Sequence, residues 1–217
     1  TNGEVQVYNG SAWTNMVGSA AAAALSLQAR LDLGETPKQI FDSGMPLDSL
    51  YGKTYQGGLI AYLDIVNGTG LIAAAIDQSA GMQWTLTAYH STLIGAAAQY
   101  TTDGHRNTVV IVAQAGVPAS GVNYAAYLCD TLSLGGYTDW YLPSKDELNY
   151  LWENLADSDG DYFNSGPTDP NNLGGFAYNI YWSSTEYDNS DAWKKNFSNG
   201  LQYPSFKNST GFVRAVR

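Results

Sequence analysis

The sequence has little cysteine, little positive charge and no long apolar run. Its single cysteine, Cys129, cannot form an internal disulfide, so the fold must be stabilised by packing. The longest apolar run is the alanine-rich stretch 19–27, which favours a helix and is too short to cross a membrane. We therefore expect no membrane insertion.

Basic residues are outnumbered by acidic ones, 10 to 20, which gives a formal net charge of -10. A chain of this charge repels phosphate backbones and anionic lipid surfaces, so we do not expect nucleic acid as a partner. The two histidines, His90 and His105, lie in polar stretches without a cysteine or carboxylate at metal-ligand spacing. We expect both at the surface, and we predict no catalytic residue, no cofactor and no metal site.

An acidic stretch that contains Asp157, Asp159 and Asp161 resembles part of a calcium-binding loop. Thr168 stands where an EF-hand needs its bidentate Glu, so the pattern is incomplete. A bound cation therefore stays an alternative, while a solvated acidic loop is the interpretation that the sequence favours.

The chain has 217 residues, 44% of them hydrophobic, which suits one large domain with a small appendage. Residues 3–17 alternate valine with polar residues around the Asn9-Gly10 turn, which predicts a β-hairpin. A lone hairpin is unstable, so it must pack on the main domain or on sister chains. The alanine-rich helix and a connector with prolines and glycines follow. We place the boundary near Tyr51, between an appendage of residues 1–50 and a main domain of residues 51–217.

The first helix predicted in the main domain lies near residues 122–134. Its apolar residues repeat at helical spacing, and Gly135-Gly136 is a typical C-terminal signal. Cys129 falls on the apolar stripe, where a cysteine is an inert core residue far more often than a nucleophile. We therefore expect Cys129 to be buried and unreactive.

A second helix is predicted near residues 144–155. Ser144 and Glu147 form the pattern of a capping box, after which leucine and tryptophan recur at helical spacing. Glu147 thus has a structural role, so we discount it as a catalytic acid. Before these helices, apolar runs split by the Asn67-Gly68 turn are typical of paired, buried strands.

The C-terminal segment, residues 181–217, interleaves two kinds of residue. Apolar and aromatic residues recur at short intervals, and we expect them in the core: Trp182, Trp193, Phe197, Val213 and Val216. Between them lie Asn, Ser, Asp, Tyr and Gly, which a core does not select. The closing stretch GFVRAVR predicts a strand that locks the terminus centrally into the sheet.

Several motifs resemble a known family: GGYTDWYLPSKDELNYLW, YWSSTEY, AWKKNFSNG and VRAVR, together with YQGGLIAYLD and GLIAAAIDQS. Over about residues 51–217 they are similar to the C-terminal domain of the Legionella collagen-like adhesin. The resemblance implies an α+β, C-type-lectin-like fold with two helices packed on antiparallel strands. Within that family, the chain looks most like the variable proteins of diversity-generating retroelements, which rewrite adenines near the 3' end of a gene.

This resemblance implies a limited set of residue types at the variable positions. Randomised adenines in an Asn codon leave a pyrimidine in the third place, so Lys, Glu, Gln, Trp and Met never arise. The candidate variable positions, expected to bind ligand, are Asp188, Asn189, Ser190, Asp191, Asn196, Ser198, Leu201, Tyr203, Pro204, Ser205, Phe206, Asn208, Ser209 and Gly211. The candidate fixed positions, which carry excluded types, are Trp182, Glu186, Trp193, Lys194, Lys195, Gln202 and Lys207.

Hairpin loops also favour Asn, Gly and Ser, so ordinary loops are an alternative explanation of the segment. Side chains of residues 192–197 should alternate between two sides of a strand, so that one side packs while the other varies. We expect the candidate variable positions to share one exposed face. Such a surface would have the composition of an antibody paratope.

The expected function is a ligand-binding protein with a diversified surface that contacts an unknown protein or glycan. We expect it at a cell surface, outside the cell or on a virion, with its targeting segment removed. A fixed-specificity adhesin or phage tail-fibre tip, with a homo-oligomer formed through the N-terminal segment, is the alternative. A formylglycine-generating enzyme is least favoured, because such enzymes rely on active-site cysteines that Cys129 does not supply.

Overall fold

The computed structural model describes residues 6–8, 13–15, 25–157, 159–160 and 169–217, with backbone alone for the first two ranges. The α-helices are α1 (Leu27–Asp32), α2 (Pro37–Asp42), α3 (Gly104–Ala115), α4 (Ala125–Asp130) and α5 (Lys145–Leu151). The β-strands are β1 (Gln6–Tyr8), β2 (Trp13–Asn15), β3 (Thr54–Tyr55), β4 (Gly58–Asp64), β5 (Thr69–Ala73), β6 (Ser79–Gln83), β7 (Ile180–Glu186), β8 (Asp191–Asn196), β9 (Gln202–Phe206) and β10 (Thr210–Val213). The fold is therefore α+β, as the sequence predicted.

The described strands form a two-stranded sheet β1-β2, a three-stranded sheet β3-β4-β5 and a five-stranded sheet in the order β6-β10-β7-β8-β9. In the five-stranded sheet, β10 runs parallel to β7, and its other neighbouring pairs are antiparallel. The terminal strand β10 thus lies inside the sheet. This position confirms the prediction that the chain end is locked into the fold rather than attached at an edge.

The five-stranded sheet separates two hydrophobic clusters. Trp182 belongs to the cluster that contains the buried residues of α3 and α4, while its neighbour Tyr181 belongs to the cluster that contains Leu148 and Leu151 of α5. Successive strand residues point to opposite faces, so β7 contributes to both clusters. The sheet is therefore covered on both sides along β7.

Residues after β10 connect the sheets. Val216 exchanges backbone hydrogen bonds with Tyr141 at 2.7 and 2.9 Å, and Arg217 does the same with Ile72 at 2.9 Å. Arg214 is buried, donates to Asp77 at 2.7 Å and also donates to the carbonyl oxygens of Ala74 and Gly174. The last residues are thus part of the core rather than a tail.

Both predicted helices are present, the first shorter than expected and the second close to its predicted bounds. The first is confined to α4, and the second is α5 followed by a π-helical turn over Trp152–Ala156. The capping box is confirmed: the Ser144 hydroxyl accepts from the Glu147 N–H, and the Glu147 carboxylate accepts from the Ser144 N–H. Helix α3, the longest described helix, was not predicted from the sequence.

The N-terminal hairpin is confirmed in its backbone, since β1 pairs antiparallel with β2. Most of the predicted alanine-rich helix falls on residues 16–24, which lie outside the described residues. Leu31, Ile40 and Leu50 belong to the same buried cluster as Trp84. Residues 27–50 therefore pack on the main core, while the boundary near Tyr51 stays a prediction.

Candidate ligand-binding edge

The candidate site is the end of the five-stranded sheet where β8 and β9 pair. Here β9 is the edge strand, and Trp193 lies opposite Pro204 while Lys194 lies opposite Tyr203. A proline is tolerated in an edge strand, where a missing N–H breaks no ladder on the open side. We define the C-terminal edge as β8, β9 and the turns 187–190, 197–201 and 207–209.

The candidate variable positions are mostly accessible at this edge. The exposed ones are Asn189, Leu201, Pro204, Phe206 and Asn208. The half-buried ones are Asp188, Ser190, Asp191, Asn196, Ser198, Tyr203, Ser205 and Ser209. The structure thus leaves all of these side chains at least partly accessible to a partner.

Gly211 is the exception, because it is buried in β10. A Cβ atom at this position would lie 3.0 Å from Cδ1 of Trp182, which is closer than ordinary van der Waals contact. Trp182 is itself fully buried, so its ring has little room to give way. The expectation that Gly211 contacts ligand is therefore wrong.

The strand positions do not share one face. Pro204 pairs with Trp193, whereas its neighbours Tyr203 and Ser205 pair with Lys194 and Ala192. Paired residues lie on the same face of a sheet, and successive residues lie on opposite faces. The expected single face is therefore wrong for β9, whose side chains reach both faces of the sheet at its edge.

Both sides of β8 are packed, which differs from the expectation that one side is free to vary. On one side, Lys194 Nζ donates to Ser209 Oγ and to the Thr210 carbonyl oxygen, each at 2.8 Å, and lies 3.8 Å from the ring centroid of Trp182. Ala192 is also fully buried. β8 also lies between β7 and β9 in the sheet, so it is hydrogen-bonded along both of its edges.

On the other side of β8, Lys195 reaches α5. Its Nζ donates to Asn149 Oδ1 at 2.6 Å and to the Gly200 carbonyl oxygen at 2.8 Å, and it lies 4.4 Å from the ring centroid of Trp152. Burial lowers the pKa of Lys194 and of Lys195 to about 8. Desolvation of the ammonium group is the main cause in both residues.

Lys207 forms a third buried ammonium site, which joins three segments of the chain. Its Nζ donates to Glu186 Oε1 at 2.6 Å and to the carbonyl oxygens of Thr92 and Asn189 at 2.9 Å. The Glu186 carboxylate also accepts from the N–H groups of Ile94 and Gly95, at 2.8 Å each. Glu186 and Lys207 were predicted to be fixed positions. The contact of residues 90–95 with this pair was not predicted, because these residues carry no motif.

Trp193 lies at the surface of the edge rather than in the core. It is half-buried, its ring meets Tyr187 edge-on at 5.4 Å between centroids, and Lys145 Nζ lies 3.8 Å from its centroid. The expectation that Trp193 is a core residue is therefore wrong, whereas Trp182 and Phe197 are buried as predicted. Lys195 lies on the same face of β8 as Trp193 and is buried, so the exposure of Trp193 depends on its position along the strand and not on the face alone.

Groups with catalytic or metal-binding chemistry are sparse in the described part of the chain. Cys129 is buried, as predicted, and burial raises the pKa of its thiol above the usual range. Among the described residues there is no group of three or more His, Cys, Asp or Glu that could hold a metal ion. Asp157 is buried rather than solvated, and Asp161 and Thr168 of the predicted acidic loop lie outside the described residues.

No helix within the described ranges has the length and apolar character needed to cross a bilayer.

A family model described as the Lcl C-terminal domain matches residues 73–217, which is more than half of the chain. None of the curated proteins compared with the chain matches it. Among solved structures, a fimbrial protein from Bacteroides ovatus ATCC 8483 is similar at 16% identity and a TM-score of 0.40, with 83% of this chain and 41% of that chain covered.

Proposed function

The chain belongs to the family of Lcl C-terminal domains, and we propose that it is a surface-exposed, adhesin-type protein that binds its ligand through the C-terminal edge. The proposal is for binding rather than catalysis, with a protein or a glycan as the ligand class. It combines the family membership with the distribution of buried and accessible side chains along residues 181–217.

One observation carries the proposal. Apart from Gly211, every candidate variable position is at least partly accessible. Of the seven candidate fixed positions, Trp193 and Gln202 are half-buried and the other five are buried: Trp182, Glu186, Lys194, Lys195 and Lys207. Lysine and glutamate are among the residues least often buried in proteins, so an ordinary surface loop would expose its lysines and glutamates rather than bury them. At most positions of this segment, residue types that randomised Asn codons can encode are accessible and the excluded types are buried, which supports a rewritten gene segment.

The scaffold beneath these positions suits a changeable surface. Most of the buried polar groups bond to backbone carbonyls or N–H groups, which do not change when neighbouring side chains do. Binding residues that are held by a rigid frame lose little conformational entropy on association. A repertoire of surfaces can therefore be carried by one core.

The finer part of the proposal is that this surface is diversified by a retroelement and that the fold is C-type-lectin-like. If so, the 3' ends of this gene in sister isolates should differ at adenines of Asn-type codons. A nearby near-copy of the 3' end would serve as the template.

The test is to sequence the gene and its flanks in such isolates. Differences confined to the candidate variable positions other than Gly211 are the expected result. Identical C-terminal segments in all isolates would instead assign the chain to the adhesins or tail-fibre tips of fixed specificity. Differences spread equally over buried and accessible codons would contradict a diversified surface.

A further inference from the structure

A loop outside the C-terminal segment lies directly against the C-terminal edge. Residues 90–95 follow a short 3-10 turn, and their backbone is held by the Glu186 carboxylate and by Lys207 Nζ. Leu93 lies between these anchored residues and is 53% exposed. Its side chain is therefore available for burial by a partner that covers the C-terminal edge.

The loop and the candidate variable turn 187–190 share the same cation. The carbonyl oxygens of Thr92 and Asn189 each lie 2.9 Å from Lys207 Nζ, so the two backbones meet around one atom. The Lys207 N–H also donates to the Ser190 carbonyl oxygen at 2.9 Å. A partner that covers the turn 187–190 must therefore come close to residues 90–95.

We propose that residues 90–95 are a constant part of the ligand-binding surface, with Leu93 as its apolar contact, and that the ligand is a protein. This inference rests on the proposed function and names its ligand class. Residues 90–95 lie upstream of the candidate variable segment, so the same loop would meet every ligand. The Glu186–Lys207 ion pair holds the loop in place.

A protein is the partner that matches the exposed side chains. Leu93 is 53% exposed, Tyr187 50% and Phe206 65%. A leucine side chain has neither an aromatic face for a sugar ring nor a polar atom for a hydroxyl group, so its burial requires another apolar surface. Aromatic side chains such as those of Tyr187 and Phe206 are enriched in protein–protein interfaces.

In the experiment, the full chain is displayed as a library of variants. Codons with two random bases and a pyrimidine in the third place encode residues 188, 189, 190, 206 and 208. The library is selected in parallel against lysozyme, as the protein probe, and against immobilised dextran, as the glycan probe. Binders to lysozyme are the expected result. Leu93→Ser in these binders should raise Kd about tenfold, as the loss of a contact worth about 1.4 kcal/mol does.

Leu33→Ser is the matched control, because Leu33 is 74% exposed on another part of the chain. It should leave Kd unchanged. If Leu93→Ser also leaves Kd unchanged in most lysozyme binders, the inference is overturned and the proposed function stands. Binders to dextran alone would overturn the choice of a protein ligand, and a library without binders to either probe would contradict the proposed function itself.

Discussion

Lys207 Nζ lies 2.6 Å from Oε1 of Glu186, and neither side chain is accessible to solvent. Each partner has further hydrogen bonds, so the ion pair is completed by backbone groups. A buried charge that keeps its partner is tolerated, whereas one that loses it is costly. The turns 187–190 and 207–209 and the loop 90–95 therefore depend on this one ion pair.

Lys207→Met should lower the free energy of unfolding by about 3 to 5 kcal/mol, because it leaves the Glu186 carboxylate buried without a counter-charge. Urea unfolding followed by tryptophan fluorescence measures the change. Lys38→Met is the control, since its pair with Asp42 is exposed and should contribute less than about 0.5 kcal/mol. Equal effects of the two substitutions would show that the buried pair has no special role.

Glu186→Gln tests the hold on the loop more locally. An amide side chain keeps at most one carbonyl oxygen for the N–H groups of Ile94 and Gly95 and loses the ionic bond to Lys207. We expect faster hydrogen exchange at these two amides. Exchange at the amides of α5 should change only as far as the global stability of the variant changes. Unchanged exchange at both amides would contradict the role assigned to Glu186.

Trp182→Ala should cost about 3 to 5 kcal/mol, as large-to-small changes in a core do. Trp193→Ala should cost only about 1 kcal/mol, because Trp193 is half-buried and packs at the surface. Thermal melting of the two variants separates them. Similar losses of stability would mean that Trp193 contributes to the core after all.

Stability should rise with pH on the alkaline side because of Lys194. Its pKa is lowered from 10.5 to about 8 by burial, so between these values the unfolded state binds more protons than the folded state. The free energy of unfolding should therefore increase by about 1 kcal/mol between pH 7 and pH 9 from this group. Lys194→Met should remove that increment from the pH profile, and an unaltered profile would contradict it.

Phe206→Ala should change the free energy of unfolding by less than about 0.5 kcal/mol, since the ring is 65% exposed at the C-terminal edge. Phe197→Ala, at a fully buried ring directly after β8, should cost about 3 to 5 kcal/mol. Differential scanning calorimetry of both variants provides the comparison. A large loss for Phe206→Ala would make it a core residue and remove it from the binding surface.

Local signals predicted some elements well, and the rest depended on distant contacts. The capping box of Ser144 and Glu147 is set by residues three apart, so the start of α5 was predictable. Helix α3 was missed because its β-branched run, residues 109–112, favours a strand by propensity. Packing of Ile111 in the core overrides that preference.

The candidate site shows the same division between local and distant information. The codon restriction separated Lys194, Lys195 and Lys207 from their accessible neighbours without any knowledge of the fold. It could not show that Trp193 lies outside the core, because burial depends on what covers each face of the sheet. Nor could it find Leu93, which is distant in sequence and reaches the edge through the Glu186–Lys207 pair.

The buried ammonium groups can also be used to detect opening of the sheet. An amine-reactive ester should label Lys38, which is exposed, and spare Lys194, Lys195 and Lys207 as long as the sheet is intact. Partial opening of the sheet edge would release these amines, and the pKa of Lys194 and of Lys195 would rise from about 8 towards that of a free lysine. Mass spectrometry of labelled peptides would then follow, lysine by lysine, how far any rewritten version of the surface disturbs the frame that supports it.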